Sequence, residues 1–342
     1  MKKERLTETL TVDNAERLDK FLHRHIGGSR NQIEQLIKKG LVQVNEKVVK
    51  KAGYKVVPGE KVEYTIPEEP SYEAESVDFD VPIIYEDEEI LVLNKPSGLV
   101  VHPAPSVKTP TLVDWLKAKG VNLSTISGEE RHGIVHRLDK ETSGAMVVAK
   151  NNASHEKLSD QLQNRSMGRY YVALIDYPLK ESGVVEAPIG RNPANRLKMG
   201  VVKGGRAAKT RFEKLLVSEK NRYELIGAKL YTGRTHQIRV HLASLNRHIV
   251  GDSLYGFKSR NDKIKRILLH AYILYLDHPK TGKTMQFVAP IPYDMRERLE
   301  SCFEKEQLDE ILDPCNFLRR FGDHCDRLFF EDHDTGGAEG SG

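Results

Sequence analysis

The chain has 342 residues, 39% of them hydrophobic and 30% charged, with a formal net charge of +4. That composition suits a soluble globular protein of about two domains, at the usual ~100–200 residues each, and excludes a fibrous or disordered chain. No stretch approaches the ~18 consecutive apolar residues of a membrane span, and "MKKERLTETL" at the start lacks the apolar run of a secretory signal.

Residues 15–65 hold 11 Lys and Arg against 6 Asp and Glu. Apolar Leu18, Phe21, Leu22 and Ile26 fall at helical spacing, and "GGSRNQIEQLIKKG" predicts a second helix with Ser29 as N-cap and Gly40 as its stop. "LVQVNEKVV" alternates as a hairpin turning at Asn45-Glu46, and "PGEKVEYTIP" predicts a further strand. Arg30, Lys38 and Lys39 fall on or just after the second helix. This pattern over 15–66 resembles the S-four-like RNA-binding module, whose second helix and following turn contact RNA; the matching positions here are Ser29, Arg30, Gln32, Lys38, Lys39 and Asn45.

From Val62 to Asn94 there is no Lys or Arg, while eleven acidic residues accumulate. Residues 67–80 therefore read as an acidic linker, self-repelling and repelled by nucleic acid. A second domain is expected over 81–299. It opens with two β-rich runs in "IIYEDEEILVLNKPSGLVVHPA", then a short helix in "TLVDWLKAKG". A strand "AMVVAK", a helix "NASHEKLSDQLQNRSMG" and a strand "RYYVALID" follow. Residues 183–230 are β-rich, "RTHQIRVHLASLN" is a polar-start helix, and "LLHAYILYLDHP" and "KTMQFVAP" pair around Lys280-Gly282. Strands and helices without regular β-α-β alternation predict an α+β fold with a mixed, largely antiparallel sheet. Residues 300–342 read as an acidic tail whose Gly-rich end, "HDTGGAEGSG", is expected to be disordered. The tail region carries Cys302, Cys315 and Cys325, expected to be free thiols in a reducing, cytoplasmic compartment. A zinc site from Cys315, His324 and Cys325 lacks a close C-x-x-C pair.

Four segments concentrate polar chemistry: "NKPSGLVVHP", "GIVHRLDKETSG", "RYYVALI", and "TGRTHQIRVHLA" followed by "LLHA". If Asp139 of the second meets Arg239 of the fourth, the guanidinium favours the ionised carboxylate, which can then act as nucleophile or proton acceptor. Such pairs are more often structural when nothing else marks a site. Residues 196–222 add nine basic residues against two acidic, and "FKSRNDKIKR" adds another basic patch. Both are candidate RNA contacts.

The four segments, in this order, resemble the signature stretches of RluA-type RNA pseudouridine synthases, with greatest likeness to the RluD branch in "VEAPIGRNP" and "LDHPKTGK". The resemblance covers roughly residues 80–295. It implies that Asp139 is the catalytic aspartate and that Arg239 pairs with it. It further implies that Tyr171 packs on the flipped uracil and is a candidate to handle its proton. Arg137 would enter the RNA stack and Leu269 would line the uracil pocket; Tyr170, by the strand period of two, points to the other face and into the core. It implies a monomeric enzyme without metal or cofactor that acts on large-subunit ribosomal RNA or a pre-ribosomal particle.

Two other readings compete. "HRLD" contains a fragment like a kinase loop, but neither G-x-G-x-x-G, D-F-G nor G-x-x-x-x-G-K-[ST] occurs. A non-catalytic ribosome-assembly factor on the same scaffold would be expected to lose Asp139, Tyr171 or Arg239, and all three are present. His136 and His236 lack the spacing of a metal site and are expected in structural hydrogen bonds.

Overall fold

The computed structural model describes residues 7–26, 30–65, 77–103, 107–121, 123–124, 133–219, 222–258, 264, 266–323 and 328–329; of 30–32 and 328–329 it describes the backbone only. The described residues fall into two compact units that divide after Val77.

In the smaller unit, β1 (Thr7–Thr11) and β2 (Glu16–Arg17) precede α1 (Leu18–Ile26) and α2 (Arg30–Lys38). Then come β3 (Val42–Val44), β4 (Lys47–Val48), β5 (Lys55–Val56) and β6 (Lys61–Thr65). The main sheet runs β1-β6-β3-β4, and β2 pairs with β5. Leu18, Phe21 and Leu22 of α1 and Ile33 and Ile37 of α2 are buried with Val42, Val44, Val62 and Tyr64, so helical spacing and strand alternation meet in one core. Asn45 and Glu46 both take positive φ, 48° and 65°, the hairpin geometry that asparagine tolerates. The sequence pattern does not announce β1: "TETLT" is almost wholly exposed, an edge strand held by its pairing to β6. The expected cap at Ser29 and most of the acidic linker lie outside the described residues.

The larger unit runs β7 (Ile83–Glu86), β8 (Ile90–Lys95), α3 (Leu112–Ala118), β9 (Ser143–Ala149), α4 (Asn152–Asn164) and β10 (Gly168–Ile175). Next come β11 (Gly183–Glu186), β12 (Ile189–Arg191), β13 (Met199–Val201), β14 (Lys209–Val217), β15 (Glu224–Leu230) and α5 (Gln237–Ser244). It ends with β16 (Leu269–Asp277), β17 (Thr284–Val288), α6 (Tyr293–Glu300), α7 (Lys305–Ile311), α8 (Pro314–Arg320) and β18 (Leu328–Phe329). The central sheet has the order β11-β14-β15-β10-β16-β9-β8-β7. β16 splits its partners: its start pairs parallel with β9, its remainder antiparallel with β17. The sheet is mixed and largely antiparallel, as expected for this α+β fold.

β9 and β10 are buried along their whole length, which explains their unbroken apolar runs. One layer of core joins Tyr170, Val172 and Leu174 to Met295, Leu299, Leu308, Ile311, Phe317 and Leu318 of the last three helices. The other joins Val147 and Ala149 to Leu158 of α4. The stretch after Glu300 is thus no loose tail in its described part: α7 and α8 cover a sheet face, and the Tyr170 hydroxyl donates to Asp323 at 2.7 Å. This bears on the cysteines. Cys302 is a buried thiol outside any disulfide, as expected, whereas Cys315 is disulfide-bonded, against the expectation. A folded segment holds a thiol at a fixed place where a second thiol can meet it. His324, Cys325 and the Gly-rich end lie outside the described residues.

Candidate active site

Asp139 sits in the loop that leads into β9, and neighbouring segments fix that loop by its backbone. The amide of Gly98 donates to the carbonyl of Lys140 at 2.9 Å, and the Ser97 hydroxyl donates to the carbonyl of Glu141 at 2.7 Å. Lys95, fully buried, donates from Nζ to the carbonyls of Pro96 and Leu99 at 2.8 Å each and of Lys140 at 3.2 Å. Burial pushes its pKa down to about 7; Arg266 adds to that push, and Asp139 and Glu141 oppose it. At the far end of the loop, Gly144 has φ +119° and a Cβ there would lie 2.2 Å from the Ala271 carbonyl oxygen, so only glycine lets β9 approach β16. Beside it a directed chain of hydrogen bonds runs through the same junction. Arg266 Nη2 donates to Ser143 Oγ at 2.6 Å, Ser143 Oγ lies 2.8 Å from His270 Nδ1, and His270 Nε2 lies 3.0 Å from the Ala289 carbonyl.

α5 delivers the cation. Its polar residues are buried because they tie the helix to β14: Gln237 Nε2 donates to the Lys209 carbonyl and to Thr210 Oγ1, and its Oε1 accepts from the Thr232 hydroxyl and the Arg234 amide. On this anchored helix, Arg239 donates from Nε and Nη2 to the two oxygens of Asp252, at 2.7 and 2.9 Å. That leaves Nη1 for Asp139 Oδ2, at 3.2 Å. The guanidinium also lies 4.9 Å from the centre of the Tyr255 ring. Burial opposes its charge, but the two carboxylates more than offset that and hold its pKa above the ordinary arginine value.

His236 begins α5 with a left-handed backbone, φ 57°, and its Nδ1 lies 2.9 Å from the Tyr255 hydroxyl. That hydroxyl already accepts from the Met199 amide, so its own proton is available to His236 Nδ1. The ring N–H then sits on Nε2, 3.9 Å from Asp139 Oδ2. Burial holds this imidazole below its usual range, against the pull of Asp139.

β10 supplies the aromatic wall. Tyr171 pairs with Ala271 on one side and Ala228 on the other, small residues in register with a large ring. Burial pushes its phenol up to about 12; Arg169 opposes this and Asp139 adds to it, which places Tyr171 within electrostatic reach of Asp139. Tyr170, next along the strand, goes into the opposite core layer. Leu269 is buried at the start of β16, in register with Ala173.

The structure therefore brings Asp139, Arg239 and Tyr171 to one place, with Leu269 on the adjoining strand. Arg137 is exposed, with Nη1 3.3 Å from His102 Nε2. In the small unit, Lys38 is exposed beside Glu34 at 3.3 Å and Lys39 is exposed; the Arg30 side chain lies outside the described residues. Asp252, Tyr255 and Lys95 are neighbours of Asp139 and Arg239 in the structure that motif reading alone misses. Lys95 lies inside a quoted motif; Asp252 and Tyr255, in "VGDSLYG", carry no local signal that they face Arg239. Among the described residues no three His, Cys, Asp or Glu side chains group to hold a metal.

A family profile described as RNA pseudouridylate synthase matches residues 89–244, and one described as S4 domain matches residues 16–62. A Helicobacter pylori protein named as an RNA pseudouridine synthase is 49% identical over 312 residues, covering 89% of this chain and 95% of its own. The chain belongs to the RNA pseudouridine synthase family. Ribosomal large subunit pseudouridine synthase D of Neisseria meningitidis is 41% identical over 296 residues, covering 83% of this chain and 78% of its own. The solved structure of human RNA pseudouridylate synthase domain containing 1 aligns with a TM-score of 0.53 at 26% identity, covering 69% of this chain and 95% of that one. As a pseudouridine synthase this is an isomerase whose substrate class is RNA, with an S4 domain as its RNA-binding companion. The kinase reading falls with this. No helix among the described residues is long and apolar enough to cross a membrane.

Proposed function

We propose that this synthase isomerises specific uridines of large-subunit ribosomal RNA, with Asp139 as the catalytic carboxylate. The observation that carries the reading is the placement of Asp139: its side chain keeps 18% exposure, while Arg239, 7% exposed, donates to it at 3.2 Å. Such a carboxylate is oriented from one side and open on another. The likeness to the Neisseria enzyme supports ribosomal RNA as substrate.

The reaction breaks the bond from uracil N1 to ribose C1′, turns the base, and joins C5 to C1′. The proton lost from C5 is matched by one gained at N1, so nothing is added overall and no cofactor is required. Asp139 works beside the ribose, by attack at C1′ or by removing the C2′ proton. Arg239, pinned by Asp252, sets the direction of that carboxylate. The uridine must first leave its stack, which costs a few kcal/mol by the general figure for base flipping, and a side chain that fills the vacated space offsets part of this. Exposed Arg137, two residues from Asp139, is placed to fill the gap. Tyr171 then stacks on the freed base, with Leu269 completing the apolar wall. Its phenol, held protonated to about pH 12, is a better support than a resting base. Arg30, Lys38 and Lys39 of the S4 domain add RNA affinity through phosphate contacts. The enzyme acts as a monomer, on ribosomal RNA or a pre-ribosomal particle in the cytoplasm.

The test is release of tritium from C5-labelled, unmodified large-subunit RNA, with no metal or cofactor added. Release that maps to discrete uridines is expected. Binding without release, on naked RNA and on assembled subunits alike, would leave an RNA-binding assembly factor instead.

A further inference from the structure

Arg169 lies on β10 two residues before Tyr171, so both side chains leave the same face of the strand. It is 91% buried, and its Nε has no hydrogen-bond partner. Its guanidinium forms no ion pair among the described residues. Burial holds its pKa below the ordinary arginine value, with only the phenol of Tyr171 pulling the other way. Natural proteins rarely keep a buried cation without a carboxylate unless a ligand brings the negative charge.

The surroundings repeat the pattern. A Cβ at Gly233 would lie 2.7 Å from Arg169 Nη1, so the turn before α5 makes room for this guanidinium by carrying no side chain. His136, held neutral by burial and then by Arg169, with its pKa pushed down to about 3, uses Nε2 to accept the Val147 amide. Its Nδ1 is left buried without a partner. Two orphan donors, Arg169 Nε and His136 Nδ1, thus lie within electrostatic reach of each other, and both want an acceptor. Outward, burial and then Arg206, Arg165 and Arg169 hold the pKa of Arg234 down, which puts each of the three within electrostatic reach of Arg234. Arg234 is half-buried, and Arg206 and Arg165 are exposed. Arg165 also lines an open cleft of about 550 Å³ with Lys209, Arg211 and Tyr231.

We propose that Arg169 and Arg234 bind a backbone phosphate of the extruded uridine, and that Arg206 and Arg165 continue this track toward the surface for the flanking phosphates. The inference rests on the reading of an RNA uridine isomerase and adds to it the subsite that holds the flipped nucleotide by its backbone. A phosphodiester carries a full charge before and after flipping, whereas the uracil enters neutral; only the phosphate gives the buried cation a counterion on binding. Arg169 then positions the nucleotide while Asp139 acts on its ribose.

The experiment compares full-length wild type, Arg169→Met and Arg169→Lys by fluorescence anisotropy with a short labelled oligouridylate across a salt series. Arg169→Met should bind about tenfold more weakly, as loss of a charge-assisted hydrogen bond implies. Its log–log salt slope should be shallower by about 0.7 for each phosphate that is no longer neutralised. Arg169→Lys should keep the slope. On the same oligonucleotide with neutral methylphosphonate linkages, wild type and Arg169→Met should bind alike. Without RNA, Arg169→Met should melt at or above wild type, because an unpaired buried cation has been removed. Unchanged affinity and slope would overturn the proposal. So would a defect that persists on the methylphosphonate probe, which would assign Arg169 to the base, or a lowered melting point, which would make it structural. Wild type that shows the full phosphate signature yet isomerises no uridine would overturn the isomerase reading and leave the phosphate subsite standing.

Discussion

Arg239 and Arg169 come from different elements, one from α5 and one from β10, and both are nearly buried. Arg239 donates to two carboxylates and rests on Tyr255; Arg169 donates to nothing among the described residues. The first arrangement is finished before RNA arrives, and it fixes the direction of Asp139. The second is complete only with an anion supplied from outside. On the proposed reading, one arginine orients the chemical group and the other receives the substrate's charge. Burial alone does not distinguish the two arginines; their partners do.

The largest effect that sharpens this contrast is on stability. Arg239→Met leaves Asp139 and Asp252 facing each other without their shared cation, and breaking a buried pair in this way costs about 3–5 kcal/mol. A urea or thermal melt should show that loss, while the matching change at Arg169 shows none. Next is Tyr171→Ala, which removes the aromatic ring that shares a strand face with Arg169. Base stacking on an aromatic ring is worth about 1–3 kcal/mol, so kcat/KM should fall roughly 10- to 100-fold, and Tyr171→Phe should retain most activity.

Lys95 is a third buried cation, partnered by carbonyl oxygens alone, and its behaviour is read through pH. Its folded pKa of about 7 lies below the usual 10.5. Between those values the unfolded chain keeps a proton that the folded protein has released, so stability rises with pH across that window. Lys95→Met should flatten the rise, checked by urea midpoints at pH values on either side of the window. The smallest effect belongs to exposed charge in the S4 domain. Lys38→Ala with Lys39→Ala should weaken RNA binding roughly threefold at low salt, an effect that fades as salt screens it, with melting unchanged.

The parts visible in the amino-acid sequence are those whose meaning is local. Leu18, Phe21 and Leu22 mark α1 by spacing alone, and "HRLDKETSG" places Asp139 beside Arg137 within one stretch. Arg239 and Tyr171 were named through the family resemblance that their motifs carry. The places of Asp252 and Arg169 depend on a partner in another segment or on having none, and Lys95 is partnered by carbonyls that no residue pattern marks. The helices after Glu300 were obscured differently. Their apolar residues, Leu308, Ile311, Phe317 and Leu318, are spaced to cover a sheet face, but acidic neighbours dominate the composition. β1 stayed hidden because an edge strand can be polar along nearly its whole length when pairing holds it.

The role of Asp139 is tested most directly by setting wild type beside Asp139→Asn on C5-tritiated, unmodified large-subunit RNA, with RNA affinity measured for both. The substitution keeps shape and removes the carboxylate's charge. Tritium release should fall about 10³-fold or more while binding stays within a few-fold, because the Arg169 side of the site is untouched. Release by Asp139→Asn at the wild-type rate would contradict this role and move the chemistry to another residue.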